Sequence, residues 1–380
     1  MAYLMYTSGS TGEPKGMIHT HFSGLSYAKM AAEVYGLHSE DRLSSFPPLH
    51  FDQSIFDYFS GPLAGATTVI IPEEHMLLPA SLSQLMADER LSVWYSVPFA
   101  LIQLAIRGAL EERDLTSLRW VLYGGEPFPP KHLAALMALW PHARFSNVYG
   151  PAEVNQCTYY HVPQLGDQHD EAIPIGQIWP NAEGLVVDEN DQPVAAGEVG
   201  ELLVRSPTMM QGYWRRPDLN AEAFFRRASP GGHSEIFYRT GDLVQLPADG
   251  AYRFLGRKDR QIKTRGFRVE LDEVESVLSA HPSVEESAVF AVSDQDHSVQ
   301  IQAAVLVRAD MTLTVAELVR HAQAHLPRYA VPARIEILTG FPRTSTDKID
   351  RKALQKQLQG NGIEIEAAHE SRRQWSNDGD

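Results

Sequence analysis

The chain has 380 residues, 43% of them hydrophobic and 21% charged, with a formal net charge of −15 at pH 7. That length exceeds what one hydrophobic core fills, so two or more domains are expected, and the acidic balance argues against non-specific nucleic-acid binding. A single cysteine, Cys157, excludes an internal disulfide framework and fits a reducing cytoplasm, and neither a signal peptide nor a membrane-spanning apolar run is recognised.

The first pattern in chain order is YTSGSTGEPKG, Tyr6 to Gly16. Neither Gly9 nor Gly12 has a glycine five positions later followed by Lys and a hydroxyl residue, so this is no Walker loop. Three glycines, four hydroxyl residues and one lysine nevertheless let bare backbone N–H groups, hydroxyls and a cation converge on an anion. A flexible Ser/Gly turn is the plainer reading of the same residues. Short apolar runs then alternate with helical patterns up to about residue 250, as in an α/β protein: Val93 to Val97, Trp120 to Tyr123 and Phe145 to Tyr149 read as strands. Between the last two, KHLAALMALW (Lys131 to Trp140) has the apolar spacing of a helix crossing back to a neighbouring parallel strand. From Glu183, EGLVVDENDQPVAAGEVGELLVRS holds two alternating runs around a polar turn, the pattern of antiparallel β structure.

The charge-dense segment LGRKDRQIKTRGFR, Leu255 to Arg268, precedes a fresh α–β–β–α–β succession ending near Leu338. We therefore expect a large α/β domain with an added antiparallel β layer over residues 1–256 and, behind a hinge, a small α+β domain over 257–360. The polar, acidic tail 361–380 has little to bury and is expected to be disordered.

Eight segments, YTSGSTGEPKG, FDQSIFD, NVYGPAE, GELLVRSPTMMQGYWRRPDL, YRTGDLV, GRKDRQIKTRGFRVELDEVE, LPRYAVP and TDKIDRKAL, occur in the order found in amino-acid adenylation enzymes of nonribosomal peptide biosynthesis. From Tyr3 to about Leu354 the chain resembles that family, its free-standing members most. It begins at the phosphate loop, where family members carry a long preceding segment, so the large domain is expected to be incomplete at its N-terminus. No carrier-protein serine motif or HHxxxDG follows, and a phosphopantetheinylated carrier protein on a separate chain is the expected partner.

The resemblance implies that a carboxylate attacks the α-phosphate of ATP, that pyrophosphate leaves, and that the acyl adenylate passes to a phosphopantetheine thiol. Thr7, Ser8, Gly9, Thr11, Gly12 and Lys15 would wrap the departing phosphates, donating where negative charge develops. From NVYGPAE, Asn147, Tyr149 and Gly150 would face the nucleotide, the Tyr149 ring against adenine, while Glu153 would help hold Mg²⁺. Ala152 replaces the family's threonine. Asp242 would accept both ribose hydroxyls with Arg257 beside it. Asp52 matches the carboxylate that pairs with a substrate ammonium, and Lys348 the cation that meets its carboxylate. Gln53, Phe56, Phe99, Leu122, Gly124, Val148, Gln156 and Cys157 would line the side-chain pocket. That lining favours a small or medium aliphatic amino acid, proline or a β-amino acid over a charged one. Asp259 matches the hinge residue about which the small domain rotates, and Gly266 would line the passage for the pantetheine arm. The alternatives are a remnant that only binds nucleotide or carrier protein, and an acyl-CoA-synthetase-like ligase.

Overall fold

The computed structural model describes residues 1–7, 14–165, 171–228, 232–293, 299–343 and 349–358. Two compact units divide the chain between Arg268 and Val269. The division falls later than the 256/257 boundary expected from sequence, because Lys258 to Arg268 still belongs to the first unit: Gly266 and Arg268 both bond to its side chains.

In the first unit, strands β1 (Tyr3–Thr7) and β2 (Lys15–His19) form an antiparallel hairpin, and helix α1 (His21–Val34) follows. Thr20 caps that helix, its hydroxyl accepting from the Ser23 N–H. The main sheet contains β3 (Arg42–Ser45), β4 (Thr67–Ile70), β5 (Val93–Ser96), β6 (Trp120–Gly124), β7 (Arg144–Tyr149), β8 (Thr158–Val162) and β9 (Gln177–Ile178). Their order is β4-β3-β5-β6-β7-β8-β9; pairs through β7 are parallel, and β8 and β9 continue antiparallel.

Helices α2 (Pro79–Asp88), α3 (Pro98–Arg107) and α4 (Pro130–Leu139) each begin on a proline, whose missing N–H is no loss at a helix start. The helix expected from Lys131 thus starts one residue earlier. Side-chain alternation along the strands feeds two cores. Val93, Tyr95, Trp120 and Leu122 enter one cluster, while Trp94, Val121 and Tyr123 enter another. Because both faces are covered, β5 and β6 are buried at every position and read as unbroken apolar runs.

The antiparallel layer expected from Glu183 is present. Strands β10 (Glu183–Val187), β11 (Val199–Arg205), β13 (Phe224–Ala228), β14 (Ser234–Gln245) and β15 (Arg253–Arg257) form one sheet, while β12 (Gly212–Tyr213) joins β2. Strands β16 (Gln261–Thr264) and β17 (Phe267–Glu270) follow.

The second unit has α5 (Leu271–Ser279), β18 (Val284–Ser293), β19 (Val299–Val307), α6 (Val315–His325) and β20 (Arg334–Leu338), the succession read from sequence. β18 pairs antiparallel and β20 parallel with β19. Among the described residues no helix is long and apolar enough to cross a membrane.

Candidate active site

In an open parallel sheet the loops after the strands' carboxyl ends gather at one edge. The candidates follow that rule: FDQSIFD lies beyond β3, Phe99 beyond β5, Gly124 to Glu126 ends and follows β6, and Gly150 to Cys157 follows β7.

Beyond β3 the backbone winds into a π-helical turn, Phe56–Ser60, with the Phe56 N–H donating to the Gln53 carbonyl at 3.1 Å. The Gln53 amide donates to the Gly124 carbonyl at 3.3 Å, tying this turn to the end of β6. Phe56 is fully buried and meets Tyr95 edge-on at 5.5 Å. Leu122, Val148 and Cys157 belong to the same buried cluster, and Gly124 has no room for a Cβ, which would lie 2.2 Å from the Val148 carbonyl oxygen. Gln156, 4% exposed, donates from Nε2 to the Tyr95 hydroxyl at 2.7 Å. Phe99 is part-exposed; its N–H donates to Glu126 Oε1 at 3.1 Å, and the Arg265 guanidinium lies 6.0 Å from its ring centre. Burial pushes the Cys157 thiol up, so it is uncharged and no nucleophile. Burial also pushes the Asp52 carboxyl up to about 6, against the pull of the Lys263 ammonium.

A second set converges from β7, β14 and β15. The Tyr149 hydroxyl donates to Asp242 Oδ2, while Arg257 Nη1 donates to Asp242 Oδ1 at 2.6 Å. Both carboxylate oxygens expected to receive a ribose are thus already partnered. Tyr149 is 7% exposed, and the Lys263 ammonium lies 5.8 Å from its ring centre. Asn147 donates its amide to the Pro174 carbonyl at 2.9 Å, anchoring β7. Gly150 begins a turn so tight that a Cβ would lie 1.9 Å from the Asn155 carbonyl oxygen.

Glu153 is fully buried. Tyr213 donates its hydroxyl to Oε1 at 2.8 Å, and Arg268 Nη1 lies 3.0 Å from each oxygen. Burial, the largest single effect, would raise this carboxyl; the Arg268 charge and the hydrogen bonds from Tyr213 and Arg268 together outweigh it and hold the group below the usual range.

Thr7 and Lys15 lie directly opposite each other in the β1–β2 register, on either side of the segment expected to wrap the phosphates. Ser8, Gly9, Thr11 and Gly12 lie outside the described residues, as do Lys348 and the tail 361–380. Asp259 is held by Arg257 through two 2.7 Å bonds. Gly266 has φ +83°, donates its N–H to Glu126 Oε2 at 3.2 Å, and would bring a Cβ to 2.5 Å from Val97 Cγ1.

Four residues at this edge were not singled out from sequence: Lys263, Arg268, Tyr213 and Glu126. Lys263 is a lysine whose ammonium is disfavoured first by burial and supported by the Asp242 and Asp52 charges. Lys263 and Arg268 sit in the charge-dense GRKDRQIKTRGFR, where composition offered a signal but no way to tell inward from outward side chains. Glu126 and Tyr213 carried no local signal.

The description "AMP-binding enzyme" applies to a family model that matches residues 1–214, and that family's C-terminal domain matches residues 273–348. The chain belongs to the AMP-binding enzyme family. Among the relatives of this AMP-binding enzyme, an L-proline--[L-prolyl-carrier protein] ligase of Pseudomonas fluorescens is 36% identical over 360 residues, 95% of this chain and 69% of that protein. A dimodular nonribosomal peptide synthase of Bacillus subtilis is 37% identical over 356 residues, which is 93% of this chain but 14% of that protein. Of the solved structures, the amide bond synthetase McbA from Marinactinospora thermotolerans superposes with a TM-score of 0.82 at 30% identity, covering 93% of this chain and 68% of that one. The AMP-binding enzyme thus spans about two-thirds of the ligase and of the amide bond synthetase, and a small part of the multimodular synthase.

Proposed function

We propose that this AMP-binding enzyme is an AMP-forming amino acid--[carrier protein] ligase. It activates an amino acid as the aminoacyl adenylate and passes it to the phosphopantetheine thiol of a carrier protein on a separate chain, in the cytoplasm. The observation that carries the reading is the half-buried Asp52 carboxylate beside a buried, mainly apolar cluster built from four strand ends. A carboxylate whose burial disfavours its charge gains most from a cation of fixed position, and an α-ammonium supplies one. The names of the relatives point the same way.

In the first half-reaction the substrate carboxylate attacks the α-phosphorus and pyrophosphate departs. Lys15 and the phosphate loop stabilise the departing charge, and Lys348 meets the attacking carboxylate. Tyr149, Asp242 and Arg257 orient the nucleoside. Asp52 fixes the ammonium and the apolar cluster excludes water. In the second half-reaction the thiol attacks the acyl carbon, AMP leaves, and the thiol proton passes to solvent. We place the hinge for domain alternation at Asp259, with Gly266 beside the pantetheine path.

The donor set fits Mg²⁺ only as a one-carboxylate site. Glu153 is buried and charged, and among the described residues no three acidic, histidine or cysteine side chains gather as a metal cage. Phosphate and water oxygens would complete the coordination, and the ion would neutralise phosphate charge. The test is ATP–pyrophosphate exchange with the twenty common amino acids, followed by loading of a holo carrier protein. Exchange confined to one or a few neutral amino acids is expected. Exchange that answers to a fatty or aryl acid and to no amino acid would overturn the reading in favour of an acyl-CoA-synthetase-like ligase.

A further inference from the structure

Among the described residues expected to line the pocket, Gln156 holds a buried polar atom with no partner. Gln156 spends Nε2 on the Tyr95 hydroxyl at 2.7 Å, but Oε1 is buried and accepts no hydrogen bond from the described residues. The group belongs to the substrate pocket through a continuous set of contacts. Asp52 precedes Gln53, whose carbonyl receives the Phe56 N–H; Phe56 packs edge-on against Tyr95, and Tyr95 receives Gln156. The Asp52 charge is among those that raise the Tyr95 phenol, which places the carboxylate and the Tyr95–Gln156 pair in one electrostatic neighbourhood. Of the lining residues Phe56, Leu122, Val148 and Cys157 offer no strong donor, and the buried hydroxyls of Tyr27 and Tyr35 in the same cluster make no hydrogen bond to the amide.

An amide oxygen sealed into such a cluster is unfavourable unless something donates to it. Turning the amide over does not remove the difficulty. It exchanges the atom that meets Tyr95 and leaves the nitrogen unsatisfied instead. A hydroxyl, which both donates and accepts, answers either orientation.

Resting on the adenylation reading, we propose that the pocket selects an amino acid whose side chain ends in a neutral hydrogen-bonding group, a hydroxyl above all, received by the unpaired end of Gln156. This narrows the aliphatic preference drawn from the composition of the lining. Gln156 acts here as a specificity-determining residue, and Tyr95 holds its amide in place. A pocket built to bond a hydroxyl discriminates strongly against the analogue that lacks it, because the pocket's own polar atom is then left bare.

The experiment compares near-isosteric pairs on the full chain: threonine with valine, trans-4-hydroxyproline with proline, and asparagine with leucine. Each pair is measured by ATP–pyrophosphate exchange and, independently, by calorimetric binding of the non-hydrolysable aminoacyl-sulfamoyl adenosines. In at least one pair the polar member should be favoured by about tenfold or more in both measurements. Gln156→Leu, an apolar replacement of similar size, should abolish or reverse that preference while keeping the melting temperature. Tight binding of an apolar adenylate analogue, with its polar counterpart no better, overturns this inference alone and assigns the Gln156 oxygen to a buried water. Failure of every aminoacyl analogue to bind overturns the adenylation reading and this inference with it. An unaltered preference in Gln156→Leu also overturns the role given to Gln156.

Discussion

Replacing Asp52 by asparagine keeps the shape of the side chain and removes the charge that is assigned to the substrate ammonium. Burial raises the Asp52 carboxyl from its ordinary 3.8 to about 6, so its charge is disfavoured in the free protein. A bound ammonium pairs with that carboxylate, and removing one partner of a buried, hydrogen-bonded charge pair costs about 2–5 kcal/mol. Taking 3 kcal/mol as the loss, kcat/KM for the preferred amino acid should fall by about 10²-fold. The sign with pH follows from the same shift. The carboxylate form receives the ammonium, so kcat/KM of the parent chain should climb as pH rises through about 6 and level off above. Asp52→Asn should lose that limb. The analogue lacking the amine should be hurt little by the substitution. ATP–pyrophosphate exchange between pH 5 and 8, with the amino acid varied at saturating ATP, reads all three. A loss below threefold at pH 8, or an unchanged acid limb in the variant, refutes the assignment.

Two other substitutions test separate features. Lys348→Ala should slow ATP–pyrophosphate exchange by on the order of 10²–10³ while leaving transfer from a supplied aminoacyl adenylate to the carrier thiol nearly intact; equal loss in both half-reactions would refute its confinement to the first step. Asp57 is fully buried, neither carboxyl oxygen has a partner among the described residues, and burial raises its pKa well above the ordinary value. The native state therefore holds a proton that the unfolded chain releases above about pH 4, and stability falls as pH rises at up to about 1.4 kcal/mol per unit until the native group ionises. Asp57→Asn should flatten this slope and raise the melting temperature at pH 8. Parallel melting-temperature profiles for the two proteins between pH 5 and 8 would contradict it.

Much of the fold is determined by the sequence alone, since its signals are local. Burial on alternate sides writes itself into VWYS and WVLYG as unbroken apolar strands, and the return helix between β6 and β7 is visible in KHLAALMALW. The α5–β18–β19–α6–β20 succession is legible for the same reason, and the order of eight short segments carried the family. The partners of the candidate groups were decided by tertiary structure. Glu153 finds Tyr213 and Arg268 at separations of 60 and 115 residues, and Tyr149 finds Asp242 at 93, distances at which no spacing rule operates. Whether Lys263 faces inward, and whether one end of Gln156 is left without a partner, depends on how strand ends from across the chain enclose them. Burial and pairing at that edge set the charge of Asp52, Asp57 and Glu153, because the free energy of an ionised group is fixed by its surroundings in space and not by its neighbours along the chain.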